Sequence, residues 1–550
     1  MILPFPSKVN HFFSISPTSY PINILDNYGE IRLNESCFLR LKRFLFVKLK
    51  DKTFLKAIST VIGAILIYFL AGAIFSVIQL LLYQISYIHW KNPGSKISLN
   101  DQTFYYPTQK ISQHTAALIC GFIYIKIGLH YTNLMGMGFL FVGYLTLLLS
   151  KSFEADIVSM VFCGIGTGII YYPSTANVCE WFPKNNGIII GIIETMISFG
   201  SFFFNLLGEN IVGEAEDKSP EEDNFYTLEE GKKFKNFMIY LIITTIILYG
   251  SSFLLTFKKT ADIFTDTKNI QVKLLADMDD EDEKPVDTNQ ENPTGNSFDA
   301  KQLELITNAD APKKKYEFKI MLMTAIKSKQ LIMFTLIVIL EGPLTSTIFS
   351  LYQAIGKYFD VDRDVLISIG PVNFLFECLG GFVFGLLSDY APKKHLLLFI
   401  FAVDTIIAYF YCLTFKNGGI MFFVFTNIAS FTSGGFYSVK DYFLINVFGS
   451  EVYVAIIGYV NFLSAVVVIA LTPLVYNFEK YSFKNENEVN NNKSTVGFWI
   501  IFVIFGTCSA ISLVLSYFIK EDTFDYEKII EEKDNEKEQK LITGSASVEM

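Results

Sequence analysis

Residues 66–85 read LIYFLAGAIFSVIQLLLYQI, a stretch without a charged side chain. A helix rises about 1.5 Å per residue, so a run of this length spans the roughly 30 Å hydrocarbon core of a bilayer. The apolar run around it extends from Ala57 to Ile88. That is too long for the apolar part of a secretion signal, so it reads as a first membrane helix. Similar runs follow at 107–128, 132–150, 155–177, 187–208 and 237–257, counting 57–83 as the first. After a polar gap they resume at 331–353, 365–387, 395–414, 419–441, 452–476 and 496–519. The expected fold class is an all-α polytopic membrane protein of twelve transmembrane helices in two sets of six. The expected segments are a tail (1–56), a first bundle (57–257), an acidic linker (258–330), a second bundle (331–519) and a second tail (520–550).

Composition agrees with a lipid-embedded chain. Of its 550 residues 51% are hydrophobic and 18% charged, where a soluble domain carries about a quarter charged. Fifty-four Phe and 29 Tyr supply lipid-facing and interfacial rings. No basic stripe with interleaved aromatics points to nucleic acid. The seven cysteines show no metal spacing and the five histidines form no HxxxH box, so neither metal nor cofactor is expected. All the cysteines but Cys37 lie in or beside apolar runs and read as small packing residues.

Lysine and arginine set the orientation. Arg40, Lys42, Arg43, Lys48, Lys50 and Lys52 precede the first span. Lys258 and Lys259 follow the sixth, Lys313, Lys314, Lys315, Lys319, Lys327 and Lys329 precede the seventh, and Lys393 and Lys394 lie between the eighth and ninth. Twelve spans put all of these on one side, so both termini and the linker are expected in the cytosol, with the plasma membrane as the first choice of membrane. The 209–236 loop, with nine acids against four lysines, falls outside, as does the sequon Asn492-Lys493-Ser494. The linker carries the acidic run 277–283 and reads as solvated, while 316–326 reads as a short helix on the inner membrane surface.

The opening stretch recurs. Residues 336–355 (LIVILEGPLTSTIFSLYQAI) match 66–85 at eight of twenty ungapped positions, an offset of 270. Gly121 to Gly128 corresponds to Gly385 to Pro392 at offset 264, and Ile189-Ile190-Gly191 to Ile456-Ile457-Gly458 at offset 267. Three colinear matches favour a duplicated six-helix unit. Same-order repeats of six helices are related by an axis along the membrane normal, and a cavity is expected on that axis.

Gly385-Leu-Leu-Ser-Asp389-Tyr-Ala-Pro392-Lys393-Lys394 resembles the G-x-L-x-D-R-x-G-R-[KR] loop of the major facilitator superfamily. The first-half copy keeps Gly121, Lys126 and Gly128, but Ile125 stands where the family has Asp. The resemblance implies an inner gate built on this loop, with the Asp as a helix-capping charge. A second stretch runs Gly164-Ile-Gly166-Thr-Gly168, then Tyr172-Pro173, then Glu180-Trp181-Phe182-Pro183-Lys184-Asn185-Asn186-Gly187. It is similar to the oxalate/formate antiporter and monocarboxylate porter branch, with Asn186 in place of the usual Arg. The segments Glu317 to Leu322 and Phe448-Gly449 resemble the same branch.

An ionisable group at mid-bilayer costs at least about 2.5–3.5 kcal/mol, so such residues usually face a cavity. The candidates are Glu194, Glu341, Glu377 and Asp404, with Glu180, Lys440 and Asp441 nearer span ends and Lys110 and His114 in the second span. Glu180, Lys440 and Asp441 are equally readable as reaching interfacial water, and Lys440 and Asp441 point about 100° apart on a helix and need not pair. Glu341-Gly342-Pro343 followed by Thr345, Ser346, Thr347 and Ser350 forms a polar patch on the seventh span. Gln79, Tyr83 and Gln113 are its first-half counterparts. Lys440 and Lys110 are the candidate cations for an anionic solute.

The resemblance implies secondary active transport by alternating access. A small organic anion is expected, a monocarboxylate or a carboxylated vitamin such as pantothenate, carried with a proton or other co-ion. The expected partners are that solute, the co-ion and the lipid bilayer, and the chain is expected to act as a monomer and not as an enzyme. An amino-acid or drug permease is the alternative within transport. A non-transporting sensor or scaffold signalling through the acidic linker is the alternative outside it.

Overall fold

The computed structural model describes residues 52–92, 97, 99–212, 227–258, 318–358, 361–416, 419–484, 496–526 and 528–530. Cys37, the basic residues before Lys52, Lys313 to Lys315, the acidic run 277–283 and the sequon lie outside the described residues, as does the side chain of Ser350.

Among the described residues, eleven helices are long and apolar enough to cross a membrane. One of them, Tyr105–Leu149, runs 45 residues, about twice the length one crossing needs. It breaks at Gly128, whose φ of 79° and ψ of 172° are not helical. A side chain there would be strained, and glycine turns the chain back in a single residue. That helix is therefore two spans, and the chain is a multi-pass membrane protein of twelve.

The spans are α1 (Lys52–Lys91), α2 (105–127), α3 (129–149), α4 (Phe153–Trp181), α5 (Asn186–Val212) and α6 (Leu228–Leu255). The second set is α7 (Lys329–Tyr358), α8 (Arg363–Ser388), α9 (Lys393–Phe410), α10 (Gly419–Phe448), α11 (Ser450–Lys484) and α12 (Val496–Phe518). All lie in one compact unit, within Lys52–Phe257 and Leu322–Phe524 of the described residues. A nine-residue helix, Phe318–Ile326, precedes α7. The end from which α1 rises is called basal here. The α2–α3 and α8–α9 turns share it by alternation.

Helix surfaces follow the solvent. On α6, Ile247 is 60% exposed and Leu254 76%, and such a stripe is stable only against hydrocarbon. Helix ends are capped as the local sequence directs. Thr227 and Glu230 form a reciprocal capping box that starts α6 at Leu228, earlier than the apolar run at 237 predicts. Lys235 reaches from α6 to the end of α3, where Nζ donates to Leu147 O and Leu148 O at 2.9 Å and to Ser150 O at 3.1 Å. Lys235→Met should cost about 1 kcal/mol, the value of a cation at a helix C-terminus, and bring forward unfolding in a heat ramp followed by tryptophan fluorescence.

Two bundles repeat the same packing. A Cβ built on Gly168 of α4 would collide with the carbonyl of Gln113 on α2, and one on Gly434 of α10 with the carbonyl of Glu377 on α8. Gln113 and Glu377 are mates at the 264-residue offset, so the repeat extends to backbone contacts. The alternate glycines of α4 serve two partners. Gly164 and Gly168 meet α2, while Gly166, on the other face, lies against Gly136 and Leu140 of α3. In α1–α5, Ser201 Oγ donates to Gly72 O at 3.0 Å; in α7–α11, Ser464 Oγ donates to Val338 O at 3.1 Å.

Candidate functional site: a charged cavity between the bundles

The bundles touch at the basal end through small residues. A Cβ on Gly121 of α2 would stand 2.6 Å from Ala455 Cβ on α11. A Cβ on Gly191 of α5 would stand 2.8 Å from Gly385 Cα on α8. These two contacts are pseudo-symmetric. The α8–α9 turn adds a charge clamp to the second of them. Asp389 Oδ1 accepts from Gly187 N at 2.9 Å and Oδ2 from Ile188 N at 2.8 Å, which caps the N-terminus of α5 across the interface. Burial raises the Asp389 carboxyl above its ordinary value, against the two backbone donors, which lower it. The first-half turn has Ile125, half exposed, at the equivalent place. Lys393 lies 3.9 Å from Glu521 Oε2 and 4.8 Å from the Tyr442 ring centre, while Lys394 N donates to Glu521 Oε1 at 2.6 Å. Asn186, with its amide nitrogen turned inward, donates to Cys179 O and Phe182 O, so it ties down the end of α4.

Asp389→Ala removes the cap on α5, worth about 1 kcal/mol. The amides of Gly187 and Ile188 should then exchange with deuterium roughly fivefold faster, since about 1.4 kcal/mol is a factor of ten.

Above this contact lies a cavity of about 140 Å³. Both bundles line it. Glu194, Glu341, Ser346, Glu377, Lys440, Lys110 and Gln113 all border it, as do His114 and Asp441. Lys440 is 4% exposed and Asp441 2%. The reading in which they reach interfacial water is thus corrected: α10 continues to Phe448, so both sit well inside the helix. Their side chains approach to 3.9 Å between Nζ and Oδ1, although they diverge on the helix.

A polar chain fixes the lysine. Lys440 Nζ donates to Asn461 Oδ1 at 3.2 Å, and Asn461 Nδ2 donates to the Tyr172 hydroxyl at 2.9 Å. This links α10, α11 and α4 across the bundle interface. Nζ also lies 4.7 Å from the Tyr437 ring centre. Tyr453 donates to Asp441 Oδ2 at 2.8 Å. On the opposite wall, Lys110 Nζ lies 4.8 Å from the Phe75 ring centre and 5.5 Å from that of Tyr106. Glu377 faces Ser198 of α5 and Lys110, and Glu194 faces Asp441, Lys440 and Lys110. The two lysines border the same cavity from different bundles, with Glu377 and Glu194 also acting on Lys110.

Towards the other end the cavity is roofed by rings from both bundles. Phe349 of α7 lies 6.3 Å from Phe75, 5.8 Å from Tyr106 and 5.7 Å from Phe374.

Three sequence candidates stand elsewhere. Asn205 of α5 donates to Gln79, tying α1 to α5. Tyr83 lies where α1 packs on Gly231 of α6. Asp404 sits behind Glu341 and accepts from Thr432 Oγ1 at 2.5 Å. Tyr106, Tyr171, Tyr437 and Asn461 line the cavity and were not singled out by sequence reasoning, and Tyr172, quoted only within a motif, lines it too. A tyrosine in an apolar helix gives no contrast in hydropathy. The signal that could have found two of them is the doublet Tyr171-Tyr172 directly before Pro173.

Solved structures share this architecture. The major facilitator superfamily transporter FucP in the outward conformation is 10% identical over 84% of this chain and 98% of its own, with a TM-score of 0.52. The proton:xylose symporter XylE of the same superfamily, bound to 6-bromo-6-deoxy-D-glucose, is 12% identical over 87% and 98%, with a TM-score of 0.57. No protein-family model and no curated sequence matches the chain.

Proposed function

From a chain with the major facilitator fold, we propose proton-coupled secondary transport of a small organic anion by alternating access. The observation that carries the reading is the pair Lys110 and Lys440, one from each bundle, bordering a single cavity. Each lysine has a carboxyl group beside it, Asp441 for Lys440 and Glu377 for Lys110, and an anion between the two ammonium groups offsets their remaining repulsion. Because the lysines belong to different bundles, the same anion draws the bundles together around itself. Aromatic walls suit a solute with a short carbon skeleton. The likeness of Gly164 to Gly187 to the oxalate/formate and monocarboxylate branch supports a monocarboxylate or a carboxylated vitamin such as pantothenate. The neighbour structures, a transporter and a proton symporter by their descriptions, support the mode of action.

The basic flanks favour a cytosolic basal end, so the basal contact would stand between the cavity and the cytosol. The four carboxyls bordering it, Glu194, Glu341, Glu377 and Asp441, favour a second reading, an amino-acid permease, in which a zwitterion meets both signs. Thermal-shift titration of the purified chain with lactate, pantothenate and a panel of amino acids separates the two. Stabilisation by carboxylates lacking an amine supports the first reading. Stabilisation by amino acids alone refutes it.

A further inference from the structure

Glu341 on the cavity wall and Asp404 behind it form a second charged cluster. Each is 1% exposed. Neither oxygen of Glu341 receives a hydrogen bond, and neither does Asp404 Oδ2. The Thr432 hydroxyl satisfies only Asp404 Oδ1. The two carboxyls, on α7 and α9, are each other's polar neighbours. Ser509 of α12 stands beside Glu341 with its hydroxyl unpaired. Tyr437 of α10 and Cys508 of α12 complete the titratable surroundings. Among the described residues no lysine, arginine or histidine acts on either carboxyl.

Two ionised carboxylates in contact, buried and without a cation, repel each other and forfeit their hydration. Carboxyls in that position share a proton. One hydrogen between Glu341 and Asp404 Oδ2 supplies the donor that their oxygens lack. Glu341 borders the cavity, so only its own side chain stands between the pair and that space.

We propose that Glu341 and Asp404 share one exchangeable proton and that this is the proton whose movement is coupled to solute transport. The inference rests on the transport reading above and gives its co-ion a place apart from the lysines that face the solute. Release of the proton to the cavity leaves two like charges side by side. The helix able to yield is α7, where Pro343, two residues after Glu341, removes a backbone hydrogen bond.

The test is infrared spectroscopy of the purified full-length protein. In Asp404→Asn the amide donates to Glu341 in place of the shared proton, so the variant keeps the shape of the site. Wild type minus variant should show one protonated-carboxyl band that shifts in heavy water. Glu341→Gln should give the same difference and serves if the first variant misfolds. A difference of no band or two bands overturns the shared proton, and so does a band removed by sodium, which would mark a cation site. In proteoliposomes, Asp404→Asn should retain solute exchange and lose pH-driven accumulation at least tenfold. Full accumulation would overturn the coupling role. Absence of any flux by the wild type would instead sink the transport reading and leave the infrared result standing.

Discussion

Replacing Lys440 with alanine is expected to abolish solute uptake while the amount of protein in the membrane stays unchanged. Nζ is held by Asn461 and leans on the Tyr437 ring, so it is presented to the cavity in one position. A hydrogen bond from a charged group contributes about 1.5–3 kcal/mol, so losing it weakens solute binding roughly ten- to hundredfold. The variant leaves Asp441 with its Tyr453 donor, so the fold should survive. Lys440→Ala combined with Asp441→Asn removes both charges of the pair and checks this: the double variant should be as abundant as wild type and equally inactive. Glu377→Gln should also abolish proton-dependent uptake, since Glu377 faces Ser198 and Lys110 from the other bundle. Undiminished uptake in both Lys440→Ala and Glu377→Gln would remove the cavity from the account.

The second large effect is expected at Gly191. A Cβ there already stands 2.8 Å from Gly385 Cα, so the branched side chain of valine cannot fit with the basal end closed. Each bundle keeps its own core, so the protein should insert and fold. The closed arrangement alone should be lost. Spin labels at Lys184 and His395, both exposed near the basal contact, should move to longer distances, and uptake should fall to background. A distance distribution like that of the unmodified protein would mean that the α5–α8 contact is not a gate. Gly121→Val, at the pseudo-symmetric contact, should do the same through α11.

The fold was legible because lipid imposes a length and a composition on every crossing. Twelve apolar runs, basic flanks and a repeat at offsets near 267 defined it, and the contacts of Gly168 and Gly434 carry that repeat to the backbone. Helix ends were less legible, because polar residues continue a helix into the interface without an apolar signal. That concealed the most informative pair. With the tenth span ended at 441, Lys440 and Asp441 looked terminal, yet the helix runs to Phe448 and buries them. Partner choice across helices was the least legible. Gln79 is absorbed by Asn205, and Asp404 by Thr432 and Glu341, through contacts 126, 28 and 63 residues apart that no local pattern encodes. The loop at Asp389 could be read because its chemistry is local to ten residues. Its target, the amide pair of Gly187 and Ile188, could not.

The same asymmetry separates the halves. They share packing but not charge: Gln113 stands where its mate is Glu377, and Ala71 where its mate is Glu341. The second bundle therefore holds Glu341, Glu377, Asp441 and one lysine of the cavity, and the first holds Glu194 and the other lysine. Under the proposed transport reading, charges divided in this way would tie solute binding to the approach of the two bundles.

The most direct test is uptake of labelled small carboxylates into proteoliposomes containing the purified chain, with and without an imposed pH gradient. At least one monocarboxylate or pantothenate-like solute should accumulate above equilibrium only when the outside is acidic, and Lys440→Ala should abolish that accumulation. Accumulation indifferent to the gradient, or no carboxylate flux while an uncharged solute is carried, would contradict proton-coupled anion transport.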